Sequence, residues 1–282
     1  MSILTLPREL QLHILGLLPL PGLLRLSETC HRLKDLARDP SLWKELTLTY
    51  NMIKNNTKAC REHVGRCSSL KELFICGQEG FTRSDITISV VLNNLKDLRI
   101  LKISSFHAKF KDLVALFSSL KKLEEVKIRK CLINNEDLVI ESLVVNNPNI
   151  HHLDIYRDSL VTRLTSRSLD SIAENCPLLT HINIGNRNVM TNDGLIKLVS
   201  KCSKLKYANF EKTQIEDNTL EMLARDCPDL EHLDISYCHA ITLQGVEAFL
   251  DKVAGAKLKS LNIRECGFLT KGACPKKKTT KL

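Results

Sequence analysis

Leu230-Glu231-His232-Leu233-Asp234-Ile235 returns 28 residues later as Leu258-Lys259-Ser260-Leu261-Asn262-Ile263. Inside each word apolar and polar residues alternate, the pattern of a short strand with one face buried. The same word, with exchanges among aliphatic residues, centres on Leu73, Leu101, Val126, Leu153, Ile182, Ala208, Leu233 and Leu261. Successive intervals are 28, 25, 27, 29, 26, 25 and 28 residues. A near-constant period in this range means that one strand-containing unit is stacked many times. Such a stack presents a long continuous surface, so the pattern points to a chain that holds another protein.

The segments between the words repeat as well. An apolar residue, a polar or cap-like residue and a second apolar residue recur as Ile133-Asn134…Leu138, Leu164-Thr165…Leu169, Met190-Thr191…Leu195, Ile215-Glu216…Leu220 and Ile241-Thr242…Val246. Thr or Asn at the second position accepts a bond from the free N–H groups of a helix start. Helically spaced apolar residues follow (Ile172 and Ala173, Leu198 and Val199, Leu223 and Ala224, Phe249 and Leu250). Each unit is therefore expected to be strand, loop, a helix of about three turns and a return, the crossover that parallel strands require. Narrow strands inside and wider helices outside bend the stack into a horseshoe. The expected class is α/β, with a parallel concave sheet.

Eleven cysteines are spread along the chain, with no Cys-x-x-Cys spacing for a zinc ribbon or redox pair. Their phase is regular. Cys67, Cys176, Cys202 and Cys227 lie six residues before a strand centre, and Cys131, Cys238 and Cys266 lie five after one. Residues at a fixed phase stack in a column, where free Cys packs as a small hydrophobe. Unpaired core thiols imply a reducing compartment, cytosol or nucleus. No metal or other cofactor is expected.

The formal charge is +9, but Lys271, Lys276, Lys277, Lys278 and Lys281 lie after Gly267 with no acid among them, which leaves about +4 for the rest. That is a weak basis for nucleic-acid binding, which calls for a basic face with aromatic platforms. Residues 267–282 read as a basic, disordered tail; Pro275-Lys276-Lys277-Lys278 has the composition of a nuclear-import signal. The uncharged run from Leu10 to Leu24 is too short to span a bilayer and is interrupted by Pro19 and Pro21, so no membrane segment is expected. The sequence has no phosphate-cradling Gly loop, no HExxH and no Gly-x-Ser-x-Gly, and an enzyme finds little support. A Cys60 or Cys67 dyad with His63 would fall in the first repeat's helix.

Ahead of the repeats stands Leu6-Pro7-Arg8-Glu9-Leu10, continuing through Ile14-Leu15-Gly16-Leu17-Leu18, Leu23-Leu24-Arg25-Leu26-Ser27, Cys30 and Asp39-Pro40-Ser41-Leu42-Trp43. Three short helices are expected. The first carries the stripe Leu10, Ile14, Leu17 and Leu18, and the Pro19–Gly22 stretch breaks it. The second carries Leu23, Leu26, Cys30 and Leu33. The third begins at Pro40 and ends near Trp43. Some forty residues cannot bury this many aliphatics alone, so part of the surface should meet a partner. Lys44-Glu45-Leu46-Thr47-Leu48-Thr49 alternates like a strand, and Leu46 lies one period before Leu73, so the helices are expected to run into the repeats without a flexible linker.

These residues closely resemble the F-box, with Leu33 where that family usually has Trp. The repeats over roughly 67–266 resemble the cysteine-containing leucine-rich-repeat family, carried by Cys227-Pro228-Asp229-Leu230-Glu231-His232-Leu233-Asp234-Ile235-Ser236-Tyr237-Cys238 and Cys202-Ser203-Lys204-Leu205. Together they resemble the F-box/leucine-rich-repeat proteins, with an F-box over 1–45 and eight to nine units of a ribonuclease-inhibitor-like solenoid over 46–266. The resemblance implies the substrate receptor of an SCF-type ubiquitin ligase, itself without catalytic residues. The F-box would bind a Skp-family adaptor and, through it, cullin and the RING subunit. A repeat scaffold acting without ubiquitin transfer is the alternative.

By the resemblance Leu6, Pro7, Leu10, Ile14, Leu15, Leu18, Leu20, Pro21, Leu23 and Leu24 bind the adaptor; each also suits an internal core position. Substrate is expected on the strand face, where residues flanking each centre point the same way. One column holds His152, His181, Tyr207 and His232, the next Asp154, Asn183, Asn209 and Asp234, and a third Arg129, Tyr156 and Arg264. Asp and Asn of the second column serve equally as scaffold, whereas Tyr and Arg are enriched in binding hot spots.

Overall fold

The computed structural model describes residues 3–55, 69–77, 95–157 and 164–267. Nine strands form one sheet: β1 (Glu45–Thr49), β2 (Glu72–Cys76), β3 (Ile100–Ser104), β5 (Glu125–Arg129), β7 (His152–Asp154), β8 (His181–Asn183), β9 (Tyr207–Asn209), β10 (His232–Asp234) and β11 (Ser260–Asn262). The numbering leaves β4 (His107–Ala108) and β6 (Leu132–Ile133) for a separate two-stranded ladder that the sequence pattern did not reveal. All strands pair parallel and in chain order. The register runs centre to centre, Leu46 on Leu73, Leu73 on Leu101, and so to Leu233 on Leu261, because a slip of one residue would turn every buried side chain to solvent.

Helices follow the later strands: Phe110–Ser119, Glu136–Asn146, Ser166–Asn175, Asn192–Lys201, Asp217–Asp226 and Leu243–Lys252, each packed on the next. The expected Thr caps form: Thr165 accepts from Arg167 N, Thr191 from Gly194 N and Thr242 from Gly245 N. Asn134 does not cap, since the helix begins after Asn135, and Glu216 makes no cap bond. Asn192 of the preceding repeat accepts from Glu216 N instead (3.0 Å).

Between sheet and helices lies one continuous core running from Leu15 to Cys266. Two columns are informative. Cys176, Cys202 and Cys227 stack as expected, each later thiol donating to the carbonyl of the cysteine before it. Asn147 occupies the same phase one repeat earlier. Fully buried, it accepts from Leu123 N (3.0 Å) and donates to Leu143 O (2.9 Å), which satisfies its polar atoms. Ala208 is small for a strand centre, and two residues on Phe210 stands where neighbouring repeats have Ile, so the volume lost at one layer is restored at the next. Cys60, His63 and Cys67 lie outside the described residues.

After most strands the chain turns through a left-handed residue: Ser105, Lys130, Asn186, Lys212, Tyr237 and Glu265 all have positive φ. None is glycine, so each turn costs roughly 1–2 kcal/mol. The turn N–H groups of Ser105, Asn186, Lys212 and Tyr237 donate to the next repeat's carbonyls, which offsets that cost and prolongs the ladder beyond the strand. At the same phase after β7 stands Arg157. It is buried with Arg187 against Glu136, a cluster that breaks the repeat.

The N-terminal segment departs from expectation in its middle. Helix α1 (Arg8–Gly16) is followed by α2 (Leu20–Ser27) and α3 (His31–Leu36), so the expected second helix is two. Cys30 is fully extended, and Ser27 and Thr29 hydroxyls donate to Leu24 and Leu26 carbonyls, terminating α2. Pro21 sits in the first turn of α2, where a missing N–H costs nothing. The expected third helix is a single 3-10 turn, Pro40–Leu42. Buried Trp43 donates its indole N–H to Ala37 O (2.8 Å), locking that turn to α3. Lys71 N donates to Lys44 O (3.0 Å) and Ser69 Oγ to Pro40 O (3.1 Å), which ties the helices directly to the first repeat.

Candidate functional site

Two surfaces stand out, one on each part. On α1 the face turned inward carries Gln11 and Leu15. Gln11 is nearly buried and donates to the carbonyls of Leu6 (2.8 Å) and Ile3 (3.1 Å), which holds the N-terminal turn over the helix. The opposite face is apolar and open. Leu10 is 50% exposed, Ile14 37% and Leu17 74%, whereas Leu15 is closed off completely at 0%. The helical spacing of Leu10, Ile14 and Leu17 thus marks a surface, although an apolar stripe is ordinarily a core face. Arg8 pairs with Asp39 at 2.6 Å, binding the end of this helix to the turn before Trp43.

Of the expected adaptor residues, Pro7, Leu10 and Ile14 are exposed, and Leu6, Leu18, Pro21 and Leu24 are half-buried. Leu15 and Leu23 belong to the core and face away from solvent. The side chain of Leu20 lies outside the described residues. Leu17, outside the expected set, continues the exposed stripe of Leu10 and Ile14.

On the strand face the three columns separate by what holds them. The first is a ladder of rings. His152 and His181 stack 5.0 Å apart, Tyr207 lies 6.1 Å beyond His181, and His232 follows at 6.2 Å, tilted by 45°. Burial, with Lys127 and His181 beside it, pushes His152 down to about 4, so it is neutral at neutral pH. Burial also lowers His181. The Thr180 hydroxyl donates to His151 O (2.9 Å), so its oxygen accepts from His181 Nδ1 (2.8 Å), which leaves Nε2 as an acceptor toward solvent.

The second column is scaffold. Asp154 accepts from Tyr156 N, Asn183 from Gly185 N, Asn209 from Glu211 N, Asp234 from Ser236 N and Asn262 from Arg264 N, all at 2.9–3.2 Å. One carboxamide or carboxylate per repeat fastens the turn two residues on. Asp154, Asn183 and Asn209 are themselves buried. In the third column Arg129 pairs with Asp154, and Tyr156 packs over Gly185, where an added Cβ would come within 3.0 Å of its ring. Arg264 is exposed and lies over Tyr237, a residue the sequence columns did not single out. No group of three His, Cys, Asp or Glu able to hold an ion occurs among the described residues. No described helix is long and apolar enough to cross a membrane.

The F-box-like family profile matches residues 3–49, and a leucine-rich-repeat profile matches 226–250, the unit built on β10. F-box/LRR-repeat protein 4 of Bos taurus is 27% identical over 244 residues, which cover 83% of this chain and 38% of that protein. The chain thus spans about two fifths of this relative's length. The solved yeast complex of Rad7 and Elc1 is similar with a TM-score of 0.48 at 15% identity, covering 78% of this chain and 69% of that chain. An F-box-like segment running into stacked leucine-rich repeats is the arrangement this chain shares with the F-box/leucine-rich-repeat proteins.

Proposed function

We propose that the chain is the substrate-recognition subunit of an SCF-type ubiquitin ligase. The observation that carries this is the open apolar stripe Leu10, Ile14 and Leu17 on a helix whose other face is fixed by Gln11 and Leu15. A Skp-family adaptor docks on that stripe and links the chain to cullin and the RING subunit. The strand face, with its ring ladder of His152, His181, Tyr207 and His232, holds a protein substrate. The chain supplies position rather than chemistry. A continuous core from F-box to repeats keeps the substrate at a set distance from the adaptor, raising the effective concentration of a substrate lysine near the ubiquitin thioester. Buried, unpaired thiols support a cytosolic or nuclear location.

The test is affinity purification from cells, comparing the natural chain with Leu10→Asp/Ile14→Asp/Leu17→Asp. Recovery of adaptor and cullin with the natural chain alone is the expected result, with substrates retained by both forms. Recovery of neither from the natural chain would make the repeats a scaffold that acts without ubiquitin transfer.

A further inference from the structure

Along the helical side, cations of one repeat meet carboxylates of the repeat before it. Lys197 lies 2.8 Å from Glu174, Arg167 2.7 Å from Glu141 and Lys252 2.6 Å from Glu221. At the end of β9–β11 from which the strand face opens, the arrangement differs. Lys212 of one repeat and Arg264 of the repeat two further on both lie over the ring of Tyr237, which stands between them. Lys212 Nζ is 5.0 Å and Arg264 Cζ 6.0 Å from the ring centroid. Neither makes an ion pair among the described residues. Asp234 of the same repeat as Tyr237 is occupied by Ser236 and Asn262.

The backbone beneath is set. Lys212 and Tyr237 are left-handed turn residues, with Lys212 N donating to Ser236 O (2.9 Å) and Tyr237 N to Arg264 O (2.8 Å). Two like charges are therefore brought to one ring by rigid turns, with the π face as their local counterweight. Each keeps its outer donors open to solvent.

We propose that Lys212, Tyr237 and Arg264 form a clamp for an acidic peptide segment, one whose carboxylates or phosphates fall in succession across the repeats. An anionic group meets Lys212 and a second meets the Arg264 fork, as charge-assisted hydrogen bonds. The clamp rests on the reading of the repeats as the substrate-holding part, and it names the substrate's chemistry. Nucleic acid fits less well, because Lys212 and Arg264 already lie over the Tyr237 ring where a base would stack.

The test uses the full chain and fluorescent Gly-Ser peptides carrying two phosphoserines, two glutamates at the same positions, or neither, read by polarisation. Both charged peptides are expected to bind more tightly than the neutral one, and Lys212→Gln or Arg264→Gln to weaken them by about tenfold each. Lys257→Gln, paired with Asp229 at the opposite end of the strands, should change nothing. Binding of the phosphopeptide alone would identify phosphate as the recognised group. Equal binding of charged and neutral peptides, or indifference to Lys212→Gln and Arg264→Gln, would overturn the clamp. So would a thymidine oligonucleotide that binds more tightly and loses affinity in the same variants. Adaptor binding is measured on every variant. Retained adaptor binding without peptide preference removes the clamp alone, and peptide preference without adaptor binding removes the ligase reading alone.

Discussion

The rings of His152 and His181, contributed by adjacent strands, stack 5.0 Å apart with planes only 4° from parallel. Both lie below the ordinary histidine value, because burial disfavours the charged form; Lys127 and His181 add like charge at His152, and His151 and Lys206 do so at His181.

This sets a pH dependence. His152 is pushed from 6.5 to about 4 in the folded chain, so between those values the unfolded chain binds a proton that the folded one refuses. Its contribution to stability is complete above pH 6.5 and falls as pH drops toward 4. Urea midpoints should decline over that window, and His152→Gln should flatten the decline. A midpoint in His152→Gln that falls as steeply as in the natural chain would disprove the assignment.

The two faces of α1 should respond oppositely to charge. Leu17→Asp or Ile14→Asp removes adaptor binding while the circular dichroism melt stays near that of the natural chain. Leu15→Asp instead buries a carboxylate in the continuous core, at a cost on the order of 4 kcal/mol or more, and loses binding by unfolding. Normal adaptor binding by Leu10→Asp/Ile14→Asp/Leu17→Asp would remove the stripe from the interface.

The thiol column should be inert. Burial pushes Cys176, Cys202 and Cys227 up to about 12, so at mildly alkaline pH almost no thiolate exists there. Iodoacetamide, followed by peptide mapping, is expected to label exposed Cys30 in the native chain and to reach the column only after denaturation. Rapid native labelling of Cys202 would contradict the packing.

The turn-fastening column offers an internal comparison. Asn209 is buried and Asn262 exposed, yet both accept from the N–H two residues on. Asn209→Ala should cost about 1–3 kcal/mol, because a buried donor loses its partner, and Asn262→Ala under about 1 kcal/mol, because water replaces it. Equal costs in a denaturant series would refute the burial argument.

The Ala208 and Phe210 pair should behave as one volume. Phe210→Ala leaves a cavity worth about 3–5 kcal/mol. Ala208→Leu overpacks by about 1–3 kcal/mol, and Ala208→Leu/Phe210→Ile should recover part of that loss. Strict additivity of the two changes would show that the layers do not share space.

The sequence by itself determined the strand centres, their parallel stacking in order, the helix between them, the thiol column and the F-box-like start. All of these rest on local patterns: alternation at period two, helical spacing, and one phase repeated along the chain. Leu46 paired with Leu73 because the period alone dictated it. What only the tertiary structure decided is which side of a pattern faces out. A helical stripe such as Leu10, Ile14 and Leu17 reads the same whether it is core or surface, and the choice fell when Gln11 found carbonyl partners inside. The break between α2 and α3, the buried Glu136–Arg157–Arg187 cluster and the convergence of Lys212 and Arg264 on Tyr237 were equally invisible. Each depends on contacts between residues far apart in sequence or on neighbouring repeats, and a linear pattern encodes the phase of a side chain but not the partner that meets it.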